Sequence, residues 1–306
     1  MNETIYDSIV VGSGPAGMTA ALYLLRAGKS VLLLESEGIG GQAATSPRLE
    51  NYPSIVSISG EEFADNLFTQ IQNLGVEFDL SEAKEIKKEG DLFRLIGDSS
   101  EYLGKTIILA TGCKHRHLGL AREEELTGHG VSYCATCDGA FFQGEDVVII
   151  GDANSALQYA ISLSAICHHV EIVTLFDRYF ADPILVERLS EIENVHAIHE
   201  WKSLSFEGDH ELTGVTFQNT QTNEVKTIPC KGCFIAIGQI PDCERFHPWV
   251  DLEKGFIVAD ENGKTKTDGI FAAGDCRVKS VRQVATAIGD GANAAMSALR
   301  YLDLAR

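Results

Sequence analysis

The hydrophobic pattern of the first forty residues predicts a strand, a helix and a second strand in close succession. Residues 9–11 form a short apolar run that ends at a glycine-rich stretch, and residues 16–27 are rich in alanine and leucine. Residues 31–34 form a second apolar run that ends on Glu35. Fully apolar runs of this length are typical of strands buried on both faces, so the pattern predicts a parallel βαβ unit.

The turn between the first predicted strand and the helix reads Gly12-x-Gly14-x-x-Gly17. The first glycine makes the tight turn, the second lets a pyrophosphate approach the backbone, and the third lets helix and strand pack closely. The helix N-terminus offers free N–H groups to phosphates, and Glu35 is placed to accept from ribose hydroxyls. This context predicts a dinucleotide site rather than an ordinary glycine-rich turn.

A second strand–turn–helix pattern occupies residues 145–164, but its turn is altered. The turn reads Gly151-Asp152-Ala153, so a methyl group stands where the second glycine of a dinucleotide turn belongs. Asp152 also brings a carboxylate close to the expected position of a pyrophosphate, and like charges a few ångströms apart repel. We expect the fold of a nucleotide domain here without its phosphate chemistry.

Near the C-terminus, a strand ends at Asp275 and an alanine-rich helix follows at about 283–301. An aspartate at a strand end before a helix can hold the ribityl chain of a flavin while the helix N-terminus faces the ring. An ordinary turn is the alternative, because Gly-Asp is common in loops.

Composition and charge exclude several classes of protein. At 306 residues the length suggests about two domains, and a net charge of -19 argues against nucleic acid or an anionic membrane as the main partner. We find no secretory signal pattern and no uncharged apolar stretch near the roughly 20 residues of a membrane span. We therefore expect a soluble, cytoplasmic protein.

Two pairs of cysteines have the spacing CxxC. Cys134 and Cys137 are followed directly by Asp138, which favours a reducible disulfide with a neighbouring acid. Zinc binding is the alternative, but no matching pair lies at ribbon spacing. Cys230 and Cys233 precede a buried strand and lack such an acid, so a structural role is favoured. The spacings His115/His117 and His168/His169 suit metal ligands, yet no carboxylate or cysteine cluster accompanies them.

The motifs GSGPAG, GGQ, ENYP, ATG, CATCDG, AIG, AAGD and RQ occur in this order along nearly the whole chain. The chain thereby resembles the low-molecular-weight thioredoxin reductase family. The resemblance implies a homodimer whose subunits contain two Rossmann-like, three-layer α/β domains. The FAD domain would comprise residues 1–114 plus 244–306, and an inserted pyridine-nucleotide domain residues 115–243.

The resemblance also assigns roles to residues. Cys137 would lie against the flavin and pass electrons to the disulfide, Cys134 would attack the disulfide of a thioredoxin-like protein, and Asp138 would act as acid and base. The implied contacts to FAD are Gly12, Gly14, Pro15, Ala16, Glu35, Gly41, Gln42, Asn51, Ala110, Gly112, Asp275, Arg282 and Gln283.

The chain departs from the family at the site for the 2′-phosphate of NADPH. The family binds this phosphate with the basic cluster HRRxxxR, whereas Thr174, Leu175, Phe176 and Phe180 stand at those positions here. Only Arg178 in this stretch is basic, with Asp177 beside it. Because the guanidinium partners of the phosphate are lost together with the second glycine turn, we expect that NADPH is not the electron donor.

Other electron donors therefore have to be considered. A ferredoxin is one, as in ferredoxin-linked flavin thioredoxin reductases, and it would need a basic docking patch on this acidic chain. The two candidates are Lys114-His115-Arg116 and Arg277/Lys279/Arg282, although each could equally be a solvated charged loop. A second flavin stacked on the aromatic residues of the vacated site is another possibility.

Three alternative functions stay open. The first is an ordinary NADPH-dependent thioredoxin reductase with an atypical phosphate site. The second is a ferredoxin–NADP reductase of similar fold, disfavoured because that relative lacks the CxxC. The third is a non-catalytic flavin redox sensor in which the Cys134–Cys137 pair reports oxidation.

Overall fold

The apolar runs of the sequence form strands in a computed structural model that describes residues 4–46, 49–98 and 100–304. In chain order the strands are β1 Ile5–Val11, β2 Val31–Glu35, β3 Glu77–Leu80, β4 Glu85–Glu89, β5 Leu92–Ile96, β6 Glu101–Leu109, β7 Cys113–His115, β8 Val131–Ser132, β9 Asp146–Ile150, β10 His169–Val173, β11 Val195–Ile198, β12 Trp201–Glu207, β13 Gly214–Asn219, β14 Val225–Pro229, β15 Gly232–Ile235, β16 Gln239–Pro241, β17 Leu252–Glu253, β18 Phe256–Ile257 and β19 Ile270–Ala272. The α-helices are α1 Pro15–Arg26, α2 Gly41–Ala44, α3 Gly60–Gln72, α4 Glu123–Leu126, α5 Ala135–Asp138, α6 Asn154–Ser164, α7 Pro183–Ser190 and α8 Val284–Leu304.

The chain divides into two compact units. Unit 1 combines both ends of the chain, Met1–Lys114 and Ile240–Arg306, and unit 2 is the segment between them, His115–Gln239. No helix within the described ranges is long and apolar enough to cross a membrane.

Unit 1 is built on a seven-stranded sheet with the order β3-β2-β1-β6-β5-β4, and β19 also pairs with β6. The central strand β1 is parallel to both neighbours, so that Val10 lies between Leu33 of β2 and Ile108 of β6. All three residues are fully buried. The apolar runs seen in the sequence are therefore central strands covered on both faces.

Small residues let α1 and α8 approach each other closely on one face of this sheet. A Cβ on Gly291 of α8 would lie 2.2 Å from the carbonyl oxygen of Ala16 in α1. A Cβ on Gly17 would lie 1.8 Å from the carbonyl oxygen of Gly12. Glycine is thus required at both positions, and the close contact joins the two ends of the chain in one core.

Unit 2 repeats the architecture on a smaller scale. Its parallel sheet has the order β11-β10-β9-β15-β8, and a separate antiparallel sheet has the order β12-β13-β14. Helix α6 follows β9 as the sequence predicts. The predicted class, two Rossmann-like α/β domains, is confirmed by the structure.

The second cysteine pair lies in the core of unit 2. Cys230 and Cys233 are both buried free thiols, and Cys233 is part of β15. Burial raises the pKa of Cys230 to about 12. Thiols that stay protonated are poor nucleophiles, so the pair fits packing rather than redox exchange.

Two glycines of α8 provide a matched test of the contact with α1. Gly291→Ala is expected to destabilise the protein by about 1–3 kcal/mol, because the new methyl group forces the helices apart. Gly289→Ala is the control, since a Cβ at this exposed position would meet no atom of the described structure within 4 Å. It should stabilise the helix by about 0.5–1 kcal/mol. Urea unfolding measures both, and equal effects would contradict the close-contact argument.

Candidate active site

The glycine-rich turn of unit 1 forms an open cradle at the N-terminus of α1. Gly12 has φ +105°, and a Cβ there would lie 2.3 Å from the carbonyl oxygen of Ala110. At Gly14, by contrast, a Cβ would meet no atom of the described residues within 4 Å. Pro15 is the first residue of α1 and Gly14 its N-cap. The space in front of Gly14 and the free N–H groups suit a phosphate group.

Glu35 is held at the end of β2 by four hydrogen bonds from the chain itself. Its Oε2 accepts from the backbone N–H and the hydroxyl of Ser13, both at 2.8 Å. Its Oε1 accepts from the N–H groups of Ser36 at 2.8 Å and Glu37 at 3.0 Å. These bonds fix the carboxylate beside the glycine turn, where its remaining lone pairs can accept from a ribose.

Some of the other residues assigned to FAD contact each other although they are distant in sequence. A Cβ on Gly41 would lie 3.3 Å from Cα of Gly14, which places the start of α2 against the turn. The side-chain amide of Asn51 donates to Oε1 of Gln283 at 3.0 Å. Gly112 has φ +66°, Ala110 is buried, and Gln42 is exposed on α2.

Asp275 meets this cradle from the strand end of β19. A Cβ on the preceding Gly274 would lie 2.7 Å from Cβ of Ala16, so the Asp275 turn touches α1. Oδ1 of Asp275 is buried and has no hydrogen-bond partner within the described part of the chain. The Arg282 side chain donates to the Asp275 carbonyl at 3.3 Å. A buried acceptor without a donor fits the hydroxyls of a flavin's ribityl chain, so these residues fit FAD.

Burial also raises the pKa of the Asp275 carboxyl to about 6, against the opposing effect of Lys279 and Arg282. The Lys279 ammonium lies 3.9 Å from Oδ1. The carboxyl therefore changes its protonation state near pH 6, well above the ordinary range of an aspartate.

The structure corrects both interpretations of the basic group Arg277/Lys279/Arg282. Asp290 of α8 accepts from Lys279 Nζ at 2.8 Å, from the Gly274 N–H at 3.1 Å and from Arg277, whose Nη1 lies 2.9 Å away. The Arg277 and Lys279 side chains are only 9% and 12% exposed. Arg277 and Lys279 are therefore neither a docking patch nor a solvated loop, because both side chains are nearly buried and share the Asp290 carboxylate.

In the second candidate patch, Lys114-His115-Arg116, two of the three side chains already have partners. The Lys114 ammonium pairs with Glu37. The His115 ring stacks on Tyr133, and burial lowers the pKa of His115. Of these three residues, only Arg116 is exposed and has no salt bridge within the part of the chain that the structure describes. This patch therefore offers little free positive charge.

In unit 2, Cys134 and Cys137 form a disulfide at the start of the short helix α5. Cys134 is the N-cap residue, and its sulfur accepts from the Cys137 N–H at 3.2 Å. Asp138 lies directly behind the pair. Its Oδ2 accepts from the Ser132 hydroxyl at 2.6 Å, while its Oδ1 is buried with no partner in the described structure. Burial raises the pKa of Asp138, and the Ser132 hydrogen bond opposes that effect.

The histidine pairs do not form metal sites. His117 Nδ1 lies 2.8 Å from the Tyr133 hydroxyl, and His168 Nδ1 lies 2.6 Å from Asp146. The described residues contain no group of three or more His, Cys, Asp or Glu side chains able to hold a metal ion.

The chain as a whole is similar to known proteins. The family described as pyridine nucleotide-disulphide oxidoreductase matches residues 6–291. The chain belongs to this family. A thioredoxin reductase from Listeria monocytogenes is 39% identical over 305 residues, covering 98% of this chain and 95% of the relative. The solved thioredoxin reductase from Streptococcus pyogenes has a TM-score of 0.95 and 36% identity, covering 99% of this chain and 100% of its own.

A more distant structural relative is a ferredoxin-flavin thioredoxin reductase from Clostridium acetobutylicum. It is 27% identical, with a TM-score of 0.55 and 99% coverage of each chain. Together the comparisons show an FAD-dependent disulfide oxidoreductase of the thioredoxin reductase type, as predicted. The ferredoxin-linked branch is not singled out, because highly similar relatives are named simply thioredoxin reductase.

The second nucleotide turn, Gly151-Asp152-Ala153, has the backbone contacts of a strand–turn–helix unit, but its side chains do not suit a phosphate. A Cβ on Gly151 would lie 2.5 Å from the carbonyl oxygen of Ala236. The Asp152 carbonyl accepts from the Phe180 N–H at 2.7 Å, and Ala153 pairs with Phe180 as an isolated bridge. Burial raises the pKa of the Asp152 carboxyl. A negative charge is thus already disfavoured at this turn before an anionic ligand approaches.

Leu175, Phe176 and Phe180 form an apolar ledge after β10. Their side chains are 50%, 50% and 51% exposed, and the two phenyl rings meet edge to face with centroids 5.3 Å apart. The Arg178 guanidinium lies 5.2 Å from the centroid of the Phe180 ring. The Thr174 hydroxyl donates to the Phe176 carbonyl at 2.7 Å. The ledge therefore presents carbon rather than cations to solvent.

Three residues of these sites were missed by sequence reasoning. Ser13 donates to Glu35, Ser132 donates to Asp138, and Asp290 anchors the Asp275 turn. Ser13 stands between two motif glycines and Ser132 two residues before the CxxC, so motif proximity was an available signal. Nothing in the sequence around Asp290 indicates its partners, because they lie more than ten residues away.

Replacing Asp275 by Asn is expected to flatten the pH dependence of stability of the FAD-free protein between about pH 4 and pH 6. Because the folded pKa of about 6 exceeds the ordinary value of 3.8, the native state holds an extra proton there, and stability falls as pH rises. The variant should therefore gain up to about 3 kcal/mol over the natural protein above this window. Urea unfolding across the window measures the gain, and the exposed Asp268→Asn is the control. Parallel curves for D275N and the natural protein would contradict the burial argument.

Proposed function

We propose that this enzyme reduces the disulfide of a thioredoxin-like protein with electrons from a donor other than NADPH. The apolar ledge carries this proposal, because carbon stands where a phosphate needs guanidinium groups. Asp152 also supports the proposal, because its carboxylate lies in the turn where the pyrophosphate of the nucleotide would bind. The fold and the disulfide chemistry are those of the family, and only the source of electrons differs.

The electrostatics of the nucleotide site weigh against NADPH. A 2′-phosphate gains charge-assisted hydrogen bonds of about 1.5–3 kcal/mol each from arginines. Here Arg178 is the single cation of the segment, and its guanidinium rests against the Phe180 ring. Two or more missing partners, together with the Asp152 carboxylate, correspond to a loss in affinity of a hundredfold or more, in the range of about 3–6 kcal/mol.

Unit 1 is proposed to hold FAD in the cradle built from both chain ends. Gly12, Gly14, Pro15 and Ala16 would face its phosphates, and Glu35 its ribose. The remaining contacts assigned by family resemblance are Gly41, Gln42, Asn51, Ala110, Gly112, Asp275, Arg282 and Gln283. When bound, FAD supplies the electron pair that reduces the disulfide of unit 2. Unit 2 then corresponds to the inserted domain with degraded nucleotide motifs.

The CxxC is proposed to work as in its relatives. Two electrons and two protons convert the Cys134–Cys137 disulfide to thiols. The Cys134 thiolate then attacks the partner's disulfide, so that one S–S bond forms as the partner's breaks. Cys137 next attacks the mixed disulfide, which releases the reduced partner and restores the original bond. Asp138 supplies the proton that the leaving thiolate needs.

A ferredoxin is the proposed donor. The relative from Clostridium acetobutylicum is a ferredoxin-flavin thioredoxin reductase and has a similar fold. Most cations of the two basic groups that could have docked it are nearly buried or already paired, since Arg277 and Lys279 contact Asp290 and Lys114 pairs with Glu37, and the chain carries a net charge of -19. A carrier that is not strongly acidic would meet less repulsion than a typical acidic ferredoxin. The proposal also includes the homodimer implied by the family resemblance and the cytoplasmic location expected from the sequence pattern.

A second flavin on the apolar ledge is the other candidate. Phe176 and Phe180 are exposed rings on one surface, and exposed aromatic pairs can stack a planar ligand. The two remaining alternatives are an ordinary NADPH-dependent enzyme, which the names of its relatives favour, and a flavin redox sensor without turnover. Turnover with a thioredoxin separates an enzyme from a sensor.

The donor proposal predicts that reduced ferredoxin bleaches the flavin rapidly, whereas micromolar NADPH does so slowly, because the missing guanidinium partners weaken its binding by about a hundredfold or more. NADH has no 2′-phosphate and is disfavoured only by the altered turn at Asp152 and Ala153. Stopped-flow absorbance of the holoenzyme measures all three rates. Rapid bleaching by micromolar NADPH would contradict the proposal.

A gain-of-function variant sharpens this test. Leu175→Arg, Phe176→Arg and Phe180→Arg together with Asp152→Gly should raise the rate with NADPH by at least about tenfold, because they restore cations and remove the repelling carboxylate. The control makes the same change in net charge at exposed positions elsewhere, by Val56→Arg, Leu80→Arg, Val225→Arg and Val258→Arg. A similar gain in the control would assign the effect to net charge alone.

The second-flavin alternative predicts two flavins per chain in the purified protein. Phe176→Ala combined with Phe180→Ala should then lower the ratio to one, while Leu204→Ala, another exposed apolar position, should leave it at two. Flavin absorbance against protein mass measures the ratio. One flavin per chain in the natural protein excludes this alternative and leaves the donor proposal standing.

A further inference from the structure

A single buried hydroxyl joins the acid of the CxxC segment to the backbone of its first cysteine. Ser132 ends strand β8 and is 4% exposed. Its Oγ donates to Oδ2 of Asp138 at 2.6 Å and accepts from the Cys134 N–H at 3.1 Å. The strand itself is fixed, because Ser132 pairs with Phe234 of β15. The hydroxyl therefore has a defined position relative to both groups.

The two oxygens of Asp138 have different surroundings as a result. Oδ2 is occupied by Ser132, whereas Oδ1 is buried and has no partner among the residues that the structure describes. The other titratable groups facing the carboxyl are the Cys134–Cys137 pair on its own turn and Tyr159 from α6. The Tyr159 hydroxyl is engaged elsewhere, since it donates to the Tyr133 carbonyl at 3.0 Å. Its pKa is raised by burial and by Asp138.

We propose that Ser132 is a positioning residue that holds Oδ2 of Asp138, so that the transferable proton resides on Oδ1. When a thiolate leaves, the O–H bond at Oδ1 breaks and an S–H bond forms. The resulting carboxylate keeps the Ser132 hydrogen bond on Oδ2, which stabilises its new negative charge. This inference rests on the acid role proposed for Asp138 and is independent of the electron donor.

The same contact tunes the acid. Burial raises the pKa of Asp138, and the hydrogen bond from Ser132 lowers it. Removing the hydroxyl leaves burial unopposed, so the pKa rises further. A hydrogen bond to a charged group corresponds to a shift of about one pH unit. An acid must be protonated to act, so the rate falls as pH rises through its pKa.

The experiment uses holoenzyme reduced with dithiothreitol and then freed of it by gel filtration, so that no other reductant and no electron donor is present in the assay. Single-turnover reduction of a thioredoxin disulfide is followed across pH in the natural protein and in Ser132→Ala. The descending limb of the rate is expected to move upward by about one pH unit. Infrared difference titration of the protonated carboxyl band, identified by its loss in Asp138→Asn, should show the same upward shift without reference to activity.

A matched pair of variants separates hydroxyl from volume. Ser132→Thr keeps the hydroxyl, so its rate should fall at the same pH as that of the natural protein. Ser132→Val has nearly the same volume as Thr but no hydroxyl, so the descending limb of its rate–pH profile should shift upward as in Ser132→Ala. Ser164→Ala is the control, because it removes another hydroxyl of unit 2 that bonds only the Ile161 carbonyl. Its limb should be unchanged.

Each outcome decides between the two claims. The positioning role would be overturned if Ser132→Ala or Ser132→Val kept both the descending limb of the rate–pH profile and the carboxyl titration at the pH of the natural protein. A shifted descending limb in Ser132→Thr would overturn it as well. A descending limb that survives in Asp138→Asn would instead overturn the acid role of Asp138. The failure of one claim is thus distinguishable from the failure of the other.

Discussion

The close approach of α1 and α8 is the constraint on which the flavin-type cradle depends. Gly291 allows the last helix to touch the backbone of Ala16, and Gly274 lets the turn before Asp275 reach the same residue. The first and last segments of the chain thereby share one core. Without this contact, the glycine turn near the N-terminus and the carboxyl of Asp275 would not face a common space.

Five carboxylates that are at least partly buried fall into two groups according to their hydrogen bonds. Glu35, Glu123 and Asp290 each accept several donors from the chain, and each fixes a turn. Asp138 and Asp275 each keep one buried oxygen without a donor in the described structure. Since such an oxygen is unfavourable unless something uses it, the second group marks the positions where chemistry or a ligand is expected.

The altered nucleotide site shows how a binding function can be lost while a fold is kept. The Asp152–Phe180 backbone contact and the packing of Gly151 against Ala236 preserve the geometry of the turn. The changes lie in side chains that face outward, at Asp152 and on the apolar ledge. Outward side chains contribute little to the core, so they can change without affecting the stability of the fold.

The sequence by itself determined the elements whose causes are local. Apolar runs predicted the buried strands, and the glycines at 12, 14 and 17 predicted the turn suited to phosphates. Cys134 with Asp138 predicted the redox segment. Each depends on neighbours a few residues away, and the helix and strand ends differed from prediction by only a few residues. The loss of arginines after β10 was likewise visible from the residues alone.

Only the tertiary structure decided contacts between distant segments and the exposure of each side chain. The sequence predicted an exposed basic group near the C-terminus, whereas in the structure Arg277 and Lys279 are nearly buried and pair with Asp290. The Asn51–Gln283 bond joins residues 232 positions apart, and the free oxygens of Asp138 and Asp275 depend on what packs around them. Burial and long-range pairing are properties of the whole fold, because they arise from which surfaces meet, and no local pattern encodes that meeting.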